Sequence, residues 1–486
     1  MSNLSRREFL EQSLFATASL ALANASRTFA ADDAKPEGSK DKLRVAVVGV
    51  KGRGGSHIGG FGKHPECEIA ALVDVDETYL NNRAEEVEKN FGNRPTLYSD
   101  MRKCFEDKSI DIVSIATPNH WHSLAAIWAI QAGKDVYVEK PVSHNVSEGR
   151  RVVEAARKYK KIVQTGTQSR SNPGMRELMA AVHSGKIGEV KLARGLCYKR
   201  RDSIGPKGNY DYPSSVDYDM WSGPAEIKPL TRKNLHYDWH WMWDYGNGDL
   251  GNQGIHQMDL ARWGLNEMSL GKSIISYGGR LGYEDAGETA NTQVSIHDYE
   301  NGKRLVFEVR GLKTEPYMGA GVGVIFYGSD GYVVAPSYNG GVVLDKSGKP
   351  TGVEFSGGGD ANHFGNFVKA VRSRKHEDLN ADILDGHLSS ALCHLGNVSY
   401  RLGAPKSIKE MVTQFAGDTE ALETLDRFQQ HLRDNMVDPE TTKITVGPQL
   451  SLTANETFAG ARSDEANKML TREYRAPYVV PKTEDL

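Results

Sequence analysis

No two of the four cysteines, Cys67, Cys104, Cys197 and Cys393, form a C-x-x-C pair or stand at the spacing of a metal cluster. That scarcity excludes a disulfide-stapled fold, predicts no metal site and leaves the thiols as small core residues. Charge of one sign is lacking too: 60 basic and 63 acidic side chains leave a formal net charge of −3, and basic runs such as Arg372 to Lys375 are short. Nothing in that balance holds nucleic acid or an anionic membrane surface, so neither is an expected partner. Long apolar runs are also missing. The stretch Leu14 to Ala25 is too short and too rich in Ala and Ser to span a bilayer, and no membrane span is expected in the mature chain. What is there, 486 residues of which 39% are apolar and 25% charged, suffices for two or three packed domains.

Residues 1–30 read as an address. Ser5-Arg6-Arg7-Glu8-Phe9-Leu10 is a twin-arginine pattern, and a cleavage point follows Thr28-Phe29-Ala30. The expectation is export by the Tat route to the periplasm, with residues 31–42 as a polar linker.

The fold begins at Leu43. LRVAVVGV is an apolar strand ending in glycine, and the Lys51-Gly52-Arg53-Gly54-Gly55 turn opens toward a helix at Ser56 to Phe61. Gly49, Gly52 and Gly54, with Arg53 between them, bring backbone N–H groups to a pyrophosphate, although Lys51 replaces the middle glycine of the usual G-x-G-x-x-G. A second strand, EIAALVDVD, sets Asp74 about twenty residues on, where a carboxylate accepts two ribose hydroxyls and repels a 2′-phosphate, favouring NAD over NADP. Two further strands end in Thr117-Pro118-Asn119-His120-Trp121-His122 and in Glu139-Lys140-Pro141. Their carboxyl ends form the edge where an open parallel sheet binds ligands, so Thr117, Pro118, Asn119, His122, Glu139 and Lys140 are candidate contacts for the nicotinamide end. Helix Val146 to Tyr159 and the strand KIVQTGTQ close this unit near residue 168.

Farther on, Gly246 to Asp259, GNGDLGNQGIHQMD, sets Asn252 and His256 four residues apart. A helix from Leu250 to Trp263 would place both on one face, with Ile255, Met258 and Leu260 toward a core. Between Arg201 and Tyr245 lies a Pro/Gly/Tyr-rich insertion, a candidate lid or specificity wall. Its tail alternates Tyr237, Trp239, Trp241, Trp243 and Tyr245 with Asp238, His240, Met242 and Asp244, so an extended segment would offer Trp239 and Trp241 to a sugar face.

With these motifs the chain resembles the Gfo/Idh/MocA family, the glucose-fructose oxidoreductase and inositol dehydrogenase group. The resemblance rests on the glycine turn, Asp74, the TPNHWH loop, the EKP triplet and the stretch ending in His256 and Asp259. It implies a fold of class α/β: a Rossmann domain with a parallel sheet, then an α+β domain with a large open, mainly antiparallel sheet. That second sheet would carry the sugar or polyol site and the contact of a homodimer or homotetramer. It also implies that Lys140 and His256 are the catalytic pair. Where the family usually has an aspartate four residues before that histidine, this chain has Asn252, which can hold a hydroxyl but cannot take its proton. Acid/base work then falls on His256, Lys140 or a neighbour such as Asp259.

The expected domains are 43–168, binding NAD, and 169–406, bearing substrate and oligomer contacts, with helices near 363–402 able to pack back on the first. A C-terminal helix and extended tail follow over 407–486. Strands such as KIGEVKLARGLCYK, TQVSIHDY and KRLVFEVRG suit the second sheet, while His363, His387 and His394 read as structural groups. The function expected is an exported NAD-dependent oxidoreductase acting on a sugar, polyol or glycoside by hydride transfer. No cofactor pool exists outside the cytoplasm, so NAD would stay bound and be restored in each cycle. One alternative is an NAD-dependent glycosidase working through a transient keto-sugar. Another is a non-catalytic nucleotide- or sugar-binding module.

Overall fold

A computed structural model describes residues 41–359 and 361–486; the twin-arginine motif, its cleavage point and most of the linker lie outside the described residues. The first sheet is built from β1 (Leu43–Val48), β2 (Cys67–Val73), β3 (Thr96–Tyr98), β4 (Ile112–Ile115), β5 (Asp135–Val138) and β6 (Val163–Thr165). All neighbours are parallel, in the order β3-β2-β1-β4-β5-β6. The apolar runs are continuous because both faces are covered: Val45 and Val47 of β1 enter one core, Ala46 and Val48 the other. Crossovers include α1 (Arg53–Gly62), α2 (Glu77–Phe91), α3 (Asn119–Gln131) and α4 (Val146–Lys158). The edge strand β3 was not expected: its three residues are partly exposed and show no apolar run, whereas the equally short β6 is fully buried.

The second sheet has twelve strands. Its main path runs β14-β13-β12-β11-β7-β10-β9-β8-β16-β15, through β7 (Val190–Tyr198), β8 (Ser273–Gly279), β9 (Thr292–Asp298), β10 (Arg304–Arg310), β11 (Val322–Gly328), β12 (Gly331–Ala335), β13 (Gly340–Asp345), β14 (Pro350–Ser356), β15 (Ala404–Lys406) and β16 (Ile444–Val446). Only β7 and β10 pair in parallel along it. One face carries α5 (Gly254–Leu265), whose Ile255, Met258 and Ala261 meet Phe307 and Phe326.

Three later helices tie the layers together. α6 (Ala361–Ser373) sends Phe364 and Phe367 onto the first sheet, into the core of Val45 and Val47. α7 (Ile383–Arg401) buries Leu388, Leu392 and Leu395 beside α5, and its C-cap is Leu402. α8 (Thr419–Asp434) lays Leu425, Phe428 and Leu432 on the other face of the second sheet. The tail then returns to the first sheet, where Tyr478, Val480 and Leu486 complete the core of Ala46 and Val48. No helix among the described residues is long and apolar enough to cross a membrane.

Candidate active site

At the end of β1, Gly49 has φ +81°, and a Cβ there would stand 2.8 Å from the Ala116 carbonyl. Gly52, φ +58°, is the N-cap of α1, and no side chain caps that end. Gly54 does different work: a Cβ on it would lie 1.9 Å from the Gly49 oxygen, so it permits close packing of helix on turn and does not line the cavity. Asp74, just past β2, accepts from the backbone N–H groups of Val50 and Asp76 at 2.8 and 3.0 Å. Burial raises its pKa, and these donors oppose the rise. Each carboxylate oxygen keeps a lone pair for a ribose hydroxyl. Lys51 turns aside, its ammonium 4.0 Å from the centre of the Tyr79 ring. Glycines that admit a pyrophosphate and a carboxylate at the ribose position fit NAD.

From this end a cavity of about 700 Å³ runs past Thr117, Pro118 and Asn119 to Glu139 and Lys140. His122 bolts its wall, its two ring nitrogens 2.6 and 2.7 Å from the carbonyls of Pro141 and Thr117. Glu139 is the anchor. It accepts from Arg53 at 2.8 Å and from Gln168 and His57 at 3.1 Å. Burial pushes its carboxyl up, but Arg53, His57 and Lys140 together hold it well below the usual carboxylate range. Lys140 is drawn the other way, its pKa lowered by burial despite Glu139.

The Gly246 to Asp259 stretch departs from expectation. Gly248 takes φ +66°, and Gly248–Gly251 forms a single turn that breaks at Asn252 (φ −88°, ψ −74°) before α5 starts at Gly254. The chain therefore bends where one helix face was expected. Asn252 and His256 both line the cavity nonetheless. Asn252 meets Lys140 through its backbone carbonyl, which accepts from Nζ at 3.0 Å, and not through its amide. His256 stands in the first turn of α5, edge-on to Tyr338 at 5.4 Å, with Nδ1 buried and unpartnered among the described residues. Burial lowers its pKa well below the ordinary histidine value, and Lys140 adds to the fall. The imidazole is neutral.

Two expected substrate contacts do not reach this cavity. Asp259, one turn deeper in α5, is buried against Arg170 at 2.8 Å and accepts from Ser389 at 2.7 Å. The aromatic segment is not extended: Leu235–Asp238 and Trp239–Trp241 are short helical turns, so alternate residues no longer share a face. Trp239 lines the cavity, whereas Trp241 packs under the Arg201 guanidinium, 5.0 Å away.

The same turns deliver a residue not singled out from the sequence. His240 lines the cavity, stacked on Trp239 at 3.6 Å, and its Nδ1 lies 2.5 Å from the Tyr237 carbonyl. A carbonyl only accepts, so Nδ1 carries the proton and Nε2 keeps a lone pair. Burial draws its pKa down to about 3, with Lys140 and Arg201 acting in the same direction. Tyr338, Lys199 and Gln168 also line the cavity, from loops and a strand end that no motif marks.

The 201–245 insertion crosses the nucleotide end. Asp217 N–H donates to the Val75 carbonyl at 2.9 Å, Glu77 N–H to Ser215 at 3.0 Å, and His236 meets Asp76 at 2.9 Å. Trp121 donates to the carbonyls of Met220 and Trp221 at 3.1 and 3.2 Å. The tail holds this insertion in turn: Arg475 donates to Gly223, Ala225 and Asp219 at 2.7 to 3.2 Å.

Comparison with known proteins matches residues 43–167 to the oxidoreductase family with an NAD-binding Rossmann fold, and residues 206–435 to that family's C-terminal alpha/beta domain. The chain belongs to the Gfo/Idh/MocA oxidoreductase family. NAD is the cofactor of its Rossmann domain. A glycosyl hydrolase family 109 protein of Shewanella baltica is 32% identical over 208 residues, 39% of this chain and 45% of that one. An alpha-N-acetylgalactosaminidase of Shewanella oneidensis is 29% identical over the same share of each chain, so these matches take in less than half of the curated relatives. Among solved structures, the fold resembles the WlbA dehydrogenase of Chromobacterium violaceum in complex with NADH and UDP-GlcNAcA (TM-score 0.58, 20% identity, 76% of this chain and 96% of that one). It also resembles an aldose-aldose oxidoreductase of Caulobacter crescentus (TM-score 0.56, 18% identity, 74% and 98%).

Proposed function

We propose that this Gfo/Idh/MocA protein is an exported carbohydrate oxidoreductase that keeps its NAD throughout turnover. The observation that carries the reading is the double closure of the nucleotide end: the insertion bonds across Val75 to Glu77, and Arg475 of the tail bonds across the insertion. Release of a dinucleotide requires both to open. When bound, NAD supplies an acceptor for the two electrons of a substrate C–H bond. The protein's part is proton handling and orientation. Lys140, steered by the Asn252 carbonyl and lowered in pKa, takes a hydroxyl proton when neutral. The neutral His256 orients the same hydroxyl, and the Nε2 lone pair of His240 offers a hydrogen-bond acceptor to a substrate hydroxyl in the cavity.

A second reading, glycoside cleavage through a transient keto-sugar, is favoured by the relatives named as glycosyl hydrolases. Oxidation of one ring hydroxyl to a ketone acidifies the neighbouring C–H. A base in the cavity removes that proton, the glycosidic C–O bond breaks, water adds to the resulting double bond, and the ketone is reduced again. In the first chemistry the two electrons taken from one sugar's C–H bond reduce the carbonyl of a second sugar, and in the second they return to the ketone, so both leave the cofactor oxidised at the end of each cycle. The twin-arginine motif supports export; replacing Arg6 and Arg7 by lysine should keep the protein in the cytoplasmic fraction. Assembly as a homodimer or homotetramer is part of the same proposal, read by light scattering.

The test is to purify the mature protein, measure NAD released on denaturation, and assay sugars and aryl glycosides with the wild type, Lys140→Met and His256→Ala. Conversion without accumulating NADH is the expected result, with release of the aryl group marking the glycosidase reading. Steady NADH formation from free NAD and a sugar would replace the proposal by a simple dehydrogenase. Turnover indifferent to both substitutions would refute the site, and bound NAD without turnover would leave a binding module.

A further inference from the structure

A second cavity, of about 540 Å³, lies between His144 and Asn145 at the start of α4, His394 and Arg401 on α7, and the 468–475 segment of the tail. Of the carboxylates around it, Asp244 and Glu226 both meet Lys228, at 2.8 and 3.5 Å. Glu148, buried behind Asn145, accepts from His144 N–H, Asn145 and the Tyr474 hydroxyl, and Glu473 is exposed. The cations are differently placed. Arg475 is paired with Asp219, but Arg401, Lys468 and Arg472 also line the cavity and form no ion pair among the described residues. Arg401 lies over the Trp243 ring at 4.9 Å. Burial lowers its pKa; Asp244 and Glu288 oppose the fall, and the nearby Arg472 adds to it.

Two guanidiniums, which stay charged in proteins, thus converge without a direct ion pair among the described residues, although the charges of Asp244 and Glu288 reach Arg401 and that of Glu148 reaches Arg472. Arg472 Nη1 reaches the Asp244 carbonyl at 2.9 Å and His144 Nδ1 at 3.2 Å. A guanidinium only donates, so Nδ1 is the acceptor and the proton of His144 sits on Nε2. That N–H is shielded from solvent and finds no acceptor among the described residues, so it adds positive potential at the cavity wall and does not itself bond the ligand. We infer that this cavity binds a small oxyanion, the carboxylate or phosphate group of an organic metabolite, between Arg401 and Arg472. The site adjoins the cofactor cavity through one side chain: Asn247 donates to the His144 carbonyl at 3.0 Å and accepts from Asn119 at 3.1 Å.

The experiment is calorimetric titration of the full chain, saturated with NAD so that the cofactor cavity does not compete, at constant ionic strength. The probes are inorganic phosphate and glucuronate, with glucose as the neutral control. Saturable binding of one or both anions at a single site, at least tenfold weaker in Arg472→Gln and in Arg401→Gln but unchanged in Arg94→Gln, is the expected result. Preference for phosphate or for glucuronate then assigns the ligand's acidic group. Absence of saturable binding by both anions, or binding that survives both substitutions, overturns the inference. Arg401 is the last residue of α7 and keeps part of its side chain in solvent, so its substitution keeps the test decisive should Arg472→Gln misfold. The outcome does not depend on turnover.

Discussion

Lys140 sits where two opposing influences meet, burial lowering its pKa from 10.5 and Glu139 raising it, with burial the larger. Its neutral form therefore grows in at a lower pH than for a free lysine. The rate should rise with pH through a value beneath the ordinary lysine range and then level, and Lys140→Met should remove that rise together with about two to four orders of magnitude of kcat, while bound NAD stays the same. Asn252 leads to a different expectation. Because it holds Lys140 by its main-chain oxygen, Asn252→Ala retains that contact and should cost less than tenfold in kcat, measured beside His256→Ala. The departure from the family's aspartate then bears less on Lys140 than the sequence suggests.

Among elements, the insertion and tail act as one clasp. Arg475 is the joint, since a single guanidinium spans Asp219 to Ala225 on the segment that supplies Trp221 to the cofactor cavity. Arg475→Ala loses several charge-assisted hydrogen bonds, each worth about 1.5 to 3 kcal/mol. Release of NAD should quicken at least tenfold, followed by stopped-flow fluorescence of bound NADH, with secondary structure unchanged. Release at the wild-type rate would show that the insertion closes the cavity without the tail. The insertion was legible as a lid because it is too long for a packing loop; what it covers was not, because Asp217 and Val75 meet across 142 positions of sequence.

For the molecule as a whole, Glu308 in the middle of β10 binds α8 to the second sheet. It accepts from Arg194 at 2.8 Å, Arg310 at 2.9 Å, Arg427 at 2.5 and 2.9 Å and Tyr198 at 2.8 Å. Burial pushes its carboxyl up, yet Arg427, Arg194 and Arg310 hold it far below 4.5. A depressed folded value means that the unfolded chain takes up a proton first. The stabilisation is complete above the ordinary carboxylate range and is lost as pH falls through it toward the folded value. Glu308→Gln leaves three arginines around a neutral amide and should cost about 3 to 5 kcal/mol in urea unfolding at neutral pH, and should flatten the acid limb of the stability curve.

Sequence by itself determined whatever is local: five of the six parallel strands of the first sheet, whose apolar runs need no partner to be recognised, and the residues at their carboxyl ends. Asp74, Glu139 and Lys140 follow from strand-end position, so their convergence on one cavity could be read in advance. Tertiary structure alone decided the rest. The helix in the 246–259 stretch broke at Asn252, two short helical turns replaced an extended aromatic strand, and Arg170 took Asp259 out of the cavity. His240, Tyr338 and Arg475 entered the site's account for the same reason. A side chain's partner is chosen by contacts across a hundred or more residues, and no local pattern of polarity encodes which of two buried faces it will meet.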